Sequence, residues 1–113
     1  MGINFEQLED LVRQWGLDRG IIQNGNPHTQ CLKTVSEIGE LADNIIKNED
    51  IRDSVGDVLV TLVQVTAMCG TNLTECLQIA YEDIKDRKGV LTKEGNFIKE
   101  SDPAYHQALL DLK

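Results

Sequence analysis

The sequence predicts an all-α fold, and three observations carry the prediction. Aromatic residues make up only 4% of the chain, so the core must be aliphatic. Apolar residues recur at the three- and four-residue spacing of a helix face. Capping residues and glycines punctuate those runs where helices start and stop. With 113 residues, the chain is long enough for one domain, 1–113, and not for two. A domain of this size buries a modest core and gains from association.

Four helical segments follow in order. Asn4, with Gln7 three residues on, caps the first; Phe5, Leu8, Leu11, Val12 and Trp15 form its stripe, and Gly16 is expected to end it. "NGNP" (24–27) is loop, and the second helix runs from Pro27–Thr29 to about Lys47. Asp50 is the expected cap of the third, which runs to about Cys69 with Gly70 as its stop. Its "VLVTLVQV" is β-branched and also fits a buried strand. The run from Ile51 to Cys69 is too long for one strand, so helix is the reading, apolar nearly all round and hence central in a bundle. Asn72 and Glu75 form a capping-box pattern for the fourth, expected to reach Gly89. The core of the domain is thus about 27–89. In the tail, 90–113, "LTKEGNFIKE" suggests a small hairpin turning at Glu94–Gly95–Asn96, and Asp102–Pro103 opens a short closing helix.

The formal net charge is −8, which argues against a nucleic-acid polymer or an anionic membrane as direct partner. A small phosphorylated ligand remains compatible, because a cation held by carboxylates inverts the local sign. The three cysteines, Cys31, Cys69 and Cys76, lack CxxC spacing and read as small buried or half-buried hydrophobes in a reducing compartment. "MGINFEQLED" has neither the basic nor the apolar region of a signal peptide. No apolar run approaches the ~18 residues of a membrane span. A cytoplasmic protein is expected.

Acidic residues stand in apolar company in "SEIGELAD" and "RDSVGDVLV". At about 100° per residue, Leu32, Val35, Ile38, Ala42, Ile45 and Ile46 share one side of the second helix. Lys33, Glu37, Glu40 and Asn44 share the other. Glu37 and Glu40 are an i, i+3 pair; Asp53 and Asp57 on the third helix are i, i+4. Gly39 and Gly56 fall on the packing sides, where close approach of a neighbouring helix is expected. Helices joined by a connection as short as "NED" pack antiparallel, so the two acidic faces can meet. An acidic pair is also what a solvated helix face or a first helical turn carries. Brought together, the four carboxylates repel unless a cation joins them. All-oxygen donors select Mg²⁺, Mn²⁺ or Ca²⁺.

"EIGELAD" followed by "DSVGDVLVTL" resembles the MazG-like branch of the all-α NTP pyrophosphohydrolases, whose members carry E-E-x-x-E on one helix and E-x-x-D on the next. The likeness covers about residues 27–89 and includes "YEDIKDRKG" (81–89). Glu37 and Glu40 match the second and third acids of the first motif, and Asp57 the Asp of the second. Ser36 and Ser54 stand where the family has Glu, with Asp53 one residue before Ser54.

The resemblance implies a four-helix MazG-like bundle and cleavage of a nucleoside triphosphate between its α and β phosphates, releasing pyrophosphate. It implies Mg²⁺ (or Mn²⁺) on Glu37, Glu40 and Asp57; Asp53, one position before the family's Glu, is the candidate for the fourth ligand. Glu37 or Asp53 would accept the proton of the attacking water. Lys33, Lys85, Arg87 and Lys88 are candidate phosphate contacts, although cations at a helix C-terminus also complement its dipole. Trp15 is either a core anchor or a base-stacking platform. Gln30 and Asn44 either read a base edge or are ordinary surface amides. His28 and His106 carry no catalytic arrangement, and GxxxxGK[ST] is absent. A homodimer or homotetramer is expected, since the central helix needs a larger core than one chain supplies. Two rivals remain: phosphoribosyl-ATP pyrophosphohydrolase on the same scaffold, and a catalytically weak oligomeric module that binds nucleotide or protein.

Overall fold

The computed structural model describes residues 2–113, which form six helices and one two-stranded sheet. The chain divides into a first unit ending at Leu77 and a second beginning at Gln78. Among the described residues, no single helix is long and apolar enough to cross a membrane.

In the first unit, helix α1 spans Phe5–Asp18. Asn4 caps it as expected, with its side chain accepting from the Gln7 backbone at 2.8 Å while Gln7 returns the bond at 3.0 Å. Gly16 does not end the helix. It lies buried inside it because the Gln64 side-chain amide occupies the space a Cβ would need. The stop falls at Gly20, whose φ of 74° suits glycine. A short helix α2, Ile21–Asn24, follows where a connection was expected.

Helix α3 spans Pro27–Ile46, with Asn26 accepting from the Thr29 backbone at 2.9 Å and Pro27 in the first turn. Helix α4 spans Arg52–Met68. Asp50 accepts from the Arg52 backbone at 2.9 Å, and Gly70, with φ 79°, lies beyond the last turn. "VLVTLVQV" is therefore helix, and α4 is central in its unit: α1, α2 and α3 all pack on it. Helix α5, Leu73–Ile84, starts in the first unit. The Asn72 side chain accepts from the Glu75 backbone at 2.8 Å, while Glu75 turns outward to the Thr71 hydroxyl at 2.7 Å.

Three expectations are corrected. Helix α5 ends at Ile84, and Gly89 opens a strand. Gly39 and Gly56 have nothing within 4 Å of an added Cβ, so neither is a close-approach point within the chain. The three cysteines are free, and Cys31 and Cys69 are exposed; only Cys76 is half-buried.

The second unit holds the predicted hairpin and closing helix. Strands β1 (Gly89–Leu91) and β2 (Phe97–Lys99) pair antiparallel with Val90 opposite Ile98. The turn closes through the Asn96 backbone, which donates to the Thr92 hydroxyl at 3.0 Å. Helix α6, Tyr105–Asp111, packs on both strands and buries Ala108. Asp102 accepts from the Ala104 backbone at 2.8 Å at its entry.

Candidate functional site: a carboxylate group in a polar helix seam

The α3–α4 hairpin has an unusual polarity. The α3 residues turned inward are Pro27, Gln30, Thr34, Glu37, Leu41 and Asn44, at alternating three- and four-residue spacing. Most of them are polar. Across the seam, α4 buries Ser54, Thr61 and Gln64. The buried Thr34 hydroxyl donates to the Thr61 hydroxyl at 2.9 Å, and Thr61 donates onward to the Val58 carbonyl at 2.7 Å. Near the other end, the Asn44 amide donates to the Ser54 hydroxyl.

Between these ties lies the acidic group. One carboxylate oxygen from each of Glu37, Glu40 and Asp57 lies within 4.8 Å of the other two. Glu37 and Asp57 are half-buried and Glu40 is exposed. Oε2 of Glu37 is shut off from solvent and has no hydrogen-bond partner. Burial pushes the Glu37 carboxyl above the usual carboxylate range. The neighbouring carboxylates of Glu40 and Asp57 push it the same way, while the nearby Lys33 charge opposes them. An orphaned oxygen in a ring of like charges is the environment that a hard cation relieves. The donor set is all oxygen, which suits Mg²⁺ or Mn²⁺ rather than zinc.

The other candidates divide. Asp53 is exposed in the first turn of α4 and is not a member of the group. Ser36 is exposed. Ser54 is buried and holds Asn44, so the Asn44 amide is engaged within the chain. Gln30 is half-buried on the seam. Lys33 is exposed at its edge. Trp15, together with Leu11, Val12 and Val60, lines a cavity of about 450 Å³ that reaches Asp57. The Arg19 guanidinium stands 4.6 Å from the Trp15 ring centroid. Trp15 is thus no core anchor; it is part of the wall beside the carboxylates.

Lys85, Arg87 and Lys88 belong to the second unit, whereas the carboxylates belong to the first. Lys85 pairs with Glu82 and Arg87 with Asp83, each at 2.7 Å. Arg87 and Lys88 line a cavity with Lys99, Glu100 and Ser101.

Two buried polar residues were not anticipated as structural keys. Gln64, 1% exposed, donates to the Val12 carbonyl at 3.3 Å, and its Oε1 is unpartnered. Glu9, 4% exposed, accepts from the backbone of Leu73 and from the backbone and hydroxyl of Thr74. It therefore caps α5 from another helix, 64 positions away in sequence from Leu73.

Comparison with known proteins adds one relative. The chain is 36% identical over 62 residues to an uncharacterized 18.2 kDa protein of the rep-hol intergenic region of Haemophilus phage HP1 (strain HP1c1). The match takes in 53% of this chain and 38% of the phage protein, so the chain spans well under half of that relative's length. No model of a known protein family matches the chain, and no solved structure does.

Proposed function

We propose that the chain is a Mg²⁺-dependent, MazG-like nucleoside triphosphate pyrophosphohydrolase, a four-helix bundle that completes its core by self-association. The observation that carries this reading is the Glu37–Glu40–Asp57 group with its orphaned Glu37 oxygen. Those three residues would hold the metal, and the metal, when bound, would supply charge neutralisation for phosphate oxygens and a more acidic water. Glu37, which enters the group from the half-buried side of the seam, would be the residue placed to accept the proton of the attacking water. Lys33, at the edge of the seam, would meet phosphate charge. The cavity walled by Trp15, Leu11 and Val60 is apolar and opens on Asp57; it suits a nucleobase beside a phosphate site.

The test is pyrophosphate release from a panel of NTPs and dNTPs with Mg²⁺, run on the wild type and on Glu40→Gln. Pyrophosphate from at least one substrate, reduced about 100-fold or more in the variant, is the expected result. A silent panel sinks the hydrolase reading, and equal turnover in Glu40→Gln sinks the site. A second reading, a catalytically weak nucleotide-binding module, draws on the Asn44–Ser54 hydrogen bond. It fills with a neutral pair a position where the resembled family has a carboxylate. That reading expects nucleotide binding with no pyrophosphate.

A further inference from the structure

We infer that Arg19 is a positioning residue that presents one face of the Trp15 ring to a nucleobase, so that the site takes purine nucleotides in preference to pyrimidines without separating adenine from guanine. The inference rests on the nucleotide reading of the Trp15 cavity and deepens it. Arg19 follows Trp15 by four residues, a spacing that makes neighbours on one helix face. Its guanidinium stands 4.6 Å from the indole centroid, and its Nη1 donates to the Trp15 carbonyl at 3.3 Å. Arg19 enters no ion pair among the described residues, so the ring is its partner. The cation is thus held over the indole at two points.

The cavity lies on the other side of the ring. Leu11, Val12, Trp15, Asp57 and Val60 line it, and Arg19 does not. The indole therefore stands between the cation and the cavity. Trp15 is 41% exposed, which leaves its open face within reach of a flat ligand.

The wall sets what such a face can discriminate. Leu11, Val12 and Val60 have no hydrogen-bonding atom in their side chains. The indole N–H lies in the ring plane, away from a base stacked on the face. Asp57 belongs to the carboxylate group. Among the described residues, then, no side chain lining the cavity is placed to read a base edge. An apolar wall separates poorly two ligands that differ only in polar substituents. Stacking itself tolerates every base, because each has a π face. Area and electron density still distinguish purine from pyrimidine. Two fused rings cover more of the indole than one does. A positive charge behind the indole draws its π density away from the open face, which favours the more electron-rich purine there. At about 450 Å³ the cavity has room for both rings.

Trp15 is the single tryptophan of the chain, so its fluorescence reports on this face. The test titrates the full chain with the α,β-methylene analogues of ATP, GTP, CTP and UTP in Mg²⁺, which resist cleavage between the α and β phosphates. The two purine analogues should quench Trp15 with dissociation constants within about threefold of each other. The pyrimidine analogues should bind about fivefold or more weakly. Arg19→Ala should weaken purine binding about three- to fivefold and flatten the purine-to-pyrimidine ratio, with Arg19→Lys between it and the wild type. Inorganic triphosphate, followed by calorimetry, should bind all three proteins alike, and circular dichroism verifies their helix content. Four analogues bound equally, or a pyrimidine bound best, overturns the inference and leaves the hydrolase reading standing. An Arg19→Ala variant that keeps the wild-type ratio overturns it too. Loss of inorganic triphosphate in Arg19→Ala makes Arg19 a phosphate contact and removes the positioning role. Absence of quenching by every analogue overturns the inference whatever the pyrophosphate panel gives. A purine preference at Trp15 in a chain that releases no pyrophosphate supports it and sinks the hydrolase reading alone.

Discussion

Replacing Glu9 by alanine should cost roughly 3 kcal/mol of folding stability, an estimate that rests on what the carboxylate holds. Glu9 receives three donors at the start of α5: the Leu73 and Thr74 backbone N–H groups, the latter at 3.0 Å, and the Thr74 hydroxyl at 2.7 Å. Hydrogen bonds to a charged acceptor contribute about 1.5–3 kcal/mol each, and loss of a helix cap alone costs about 0.5–2 kcal/mol. The three share one carboxylate and are not additive, so the total lies nearer one strong bond plus a cap than three strong bonds. Glu9→Gln keeps one acceptor oxygen but turns an amide NH₂ toward a donor, and should cost about half as much. The assay is urea unfolding followed by circular dichroism, at fixed protein concentration because association would shift the midpoint. The pH dependence separates a cap from simple packing. Burial pushes the Glu9 carboxyl up, but the Thr74 hydroxyl, the two backbone donors and Arg13 outweigh it and leave the pKa below its ordinary value. The folded state therefore binds this proton less readily than the unfolded state. Its contribution is fully present above the unfolded value, near 4.3, and is lost as pH falls through the depressed folded value. The gap between wild type and Glu9→Ala should narrow over that acid range. A loss under about 0.5 kcal/mol, the size expected for an ordinary surface site, or a gap that ignores pH, would refute the reasoning.

Other changes probe the remaining polar keys. Gly16→Ala should destabilise by about 1–2 kcal/mol in the same unfolding assay, since about 1 kcal/mol of helix preference is gained while the new methyl collides with Gln64; a more stable variant would show that Gln64 can move aside. Thr34→Val and Thr61→Val should each cost about 1–3 kcal/mol, while the double variant should cost less than the sum, because removing both partners orphans neither; strict additivity would deny the buried bond. For Glu37, the raised pKa means that the folded state binds the proton more tightly, so in chelator its contribution makes stability fall as pH rises from the unfolded value through the folded one. Glu37→Gln should remove that fall and also the rise in midpoint that Mg²⁺ gives the wild type at neutral pH; an unchanged Mg²⁺ response would take Glu37 out of the metal site.

The helices were legible where the signal is local. Asn4, Pro27, Asn72 and Gly70 act within a few residues of themselves, and the structure uses each as its type suggests. The meeting of Glu37 and Glu40 with Asp57 followed from helical phase and a short connection. Gly16 was misread because a glycine near a helix end is usually a stop; here the demand comes from Gln64, 48 residues later. Glu9 was invisible for the same reason, as its partners lie on a distant helix. Asp53 shares a face with Asp57 by spacing, but the start of α4 leaves it in solvent. Periodicity separated the two faces of α3 correctly. It could not say which face turns inward, because amphipathic logic assumes that the core lies within the chain.

Helix α3 thus carries two messages in one reading frame. The row from Gln30 through Thr34, Glu37 and Asn44 addresses α4, and the row from Leu32 through Val35, Gly39 and Ile46 addresses the outside. Substitutions edit one row at a time. A single inserted or deleted residue would instead turn everything beyond it by about 100°, aiming acids at the outer face and aliphatics at the carboxylate group. Length between Pro27 and Ile46 should therefore be the least negotiable property of this chain, more constrained than the identity of most residues along it.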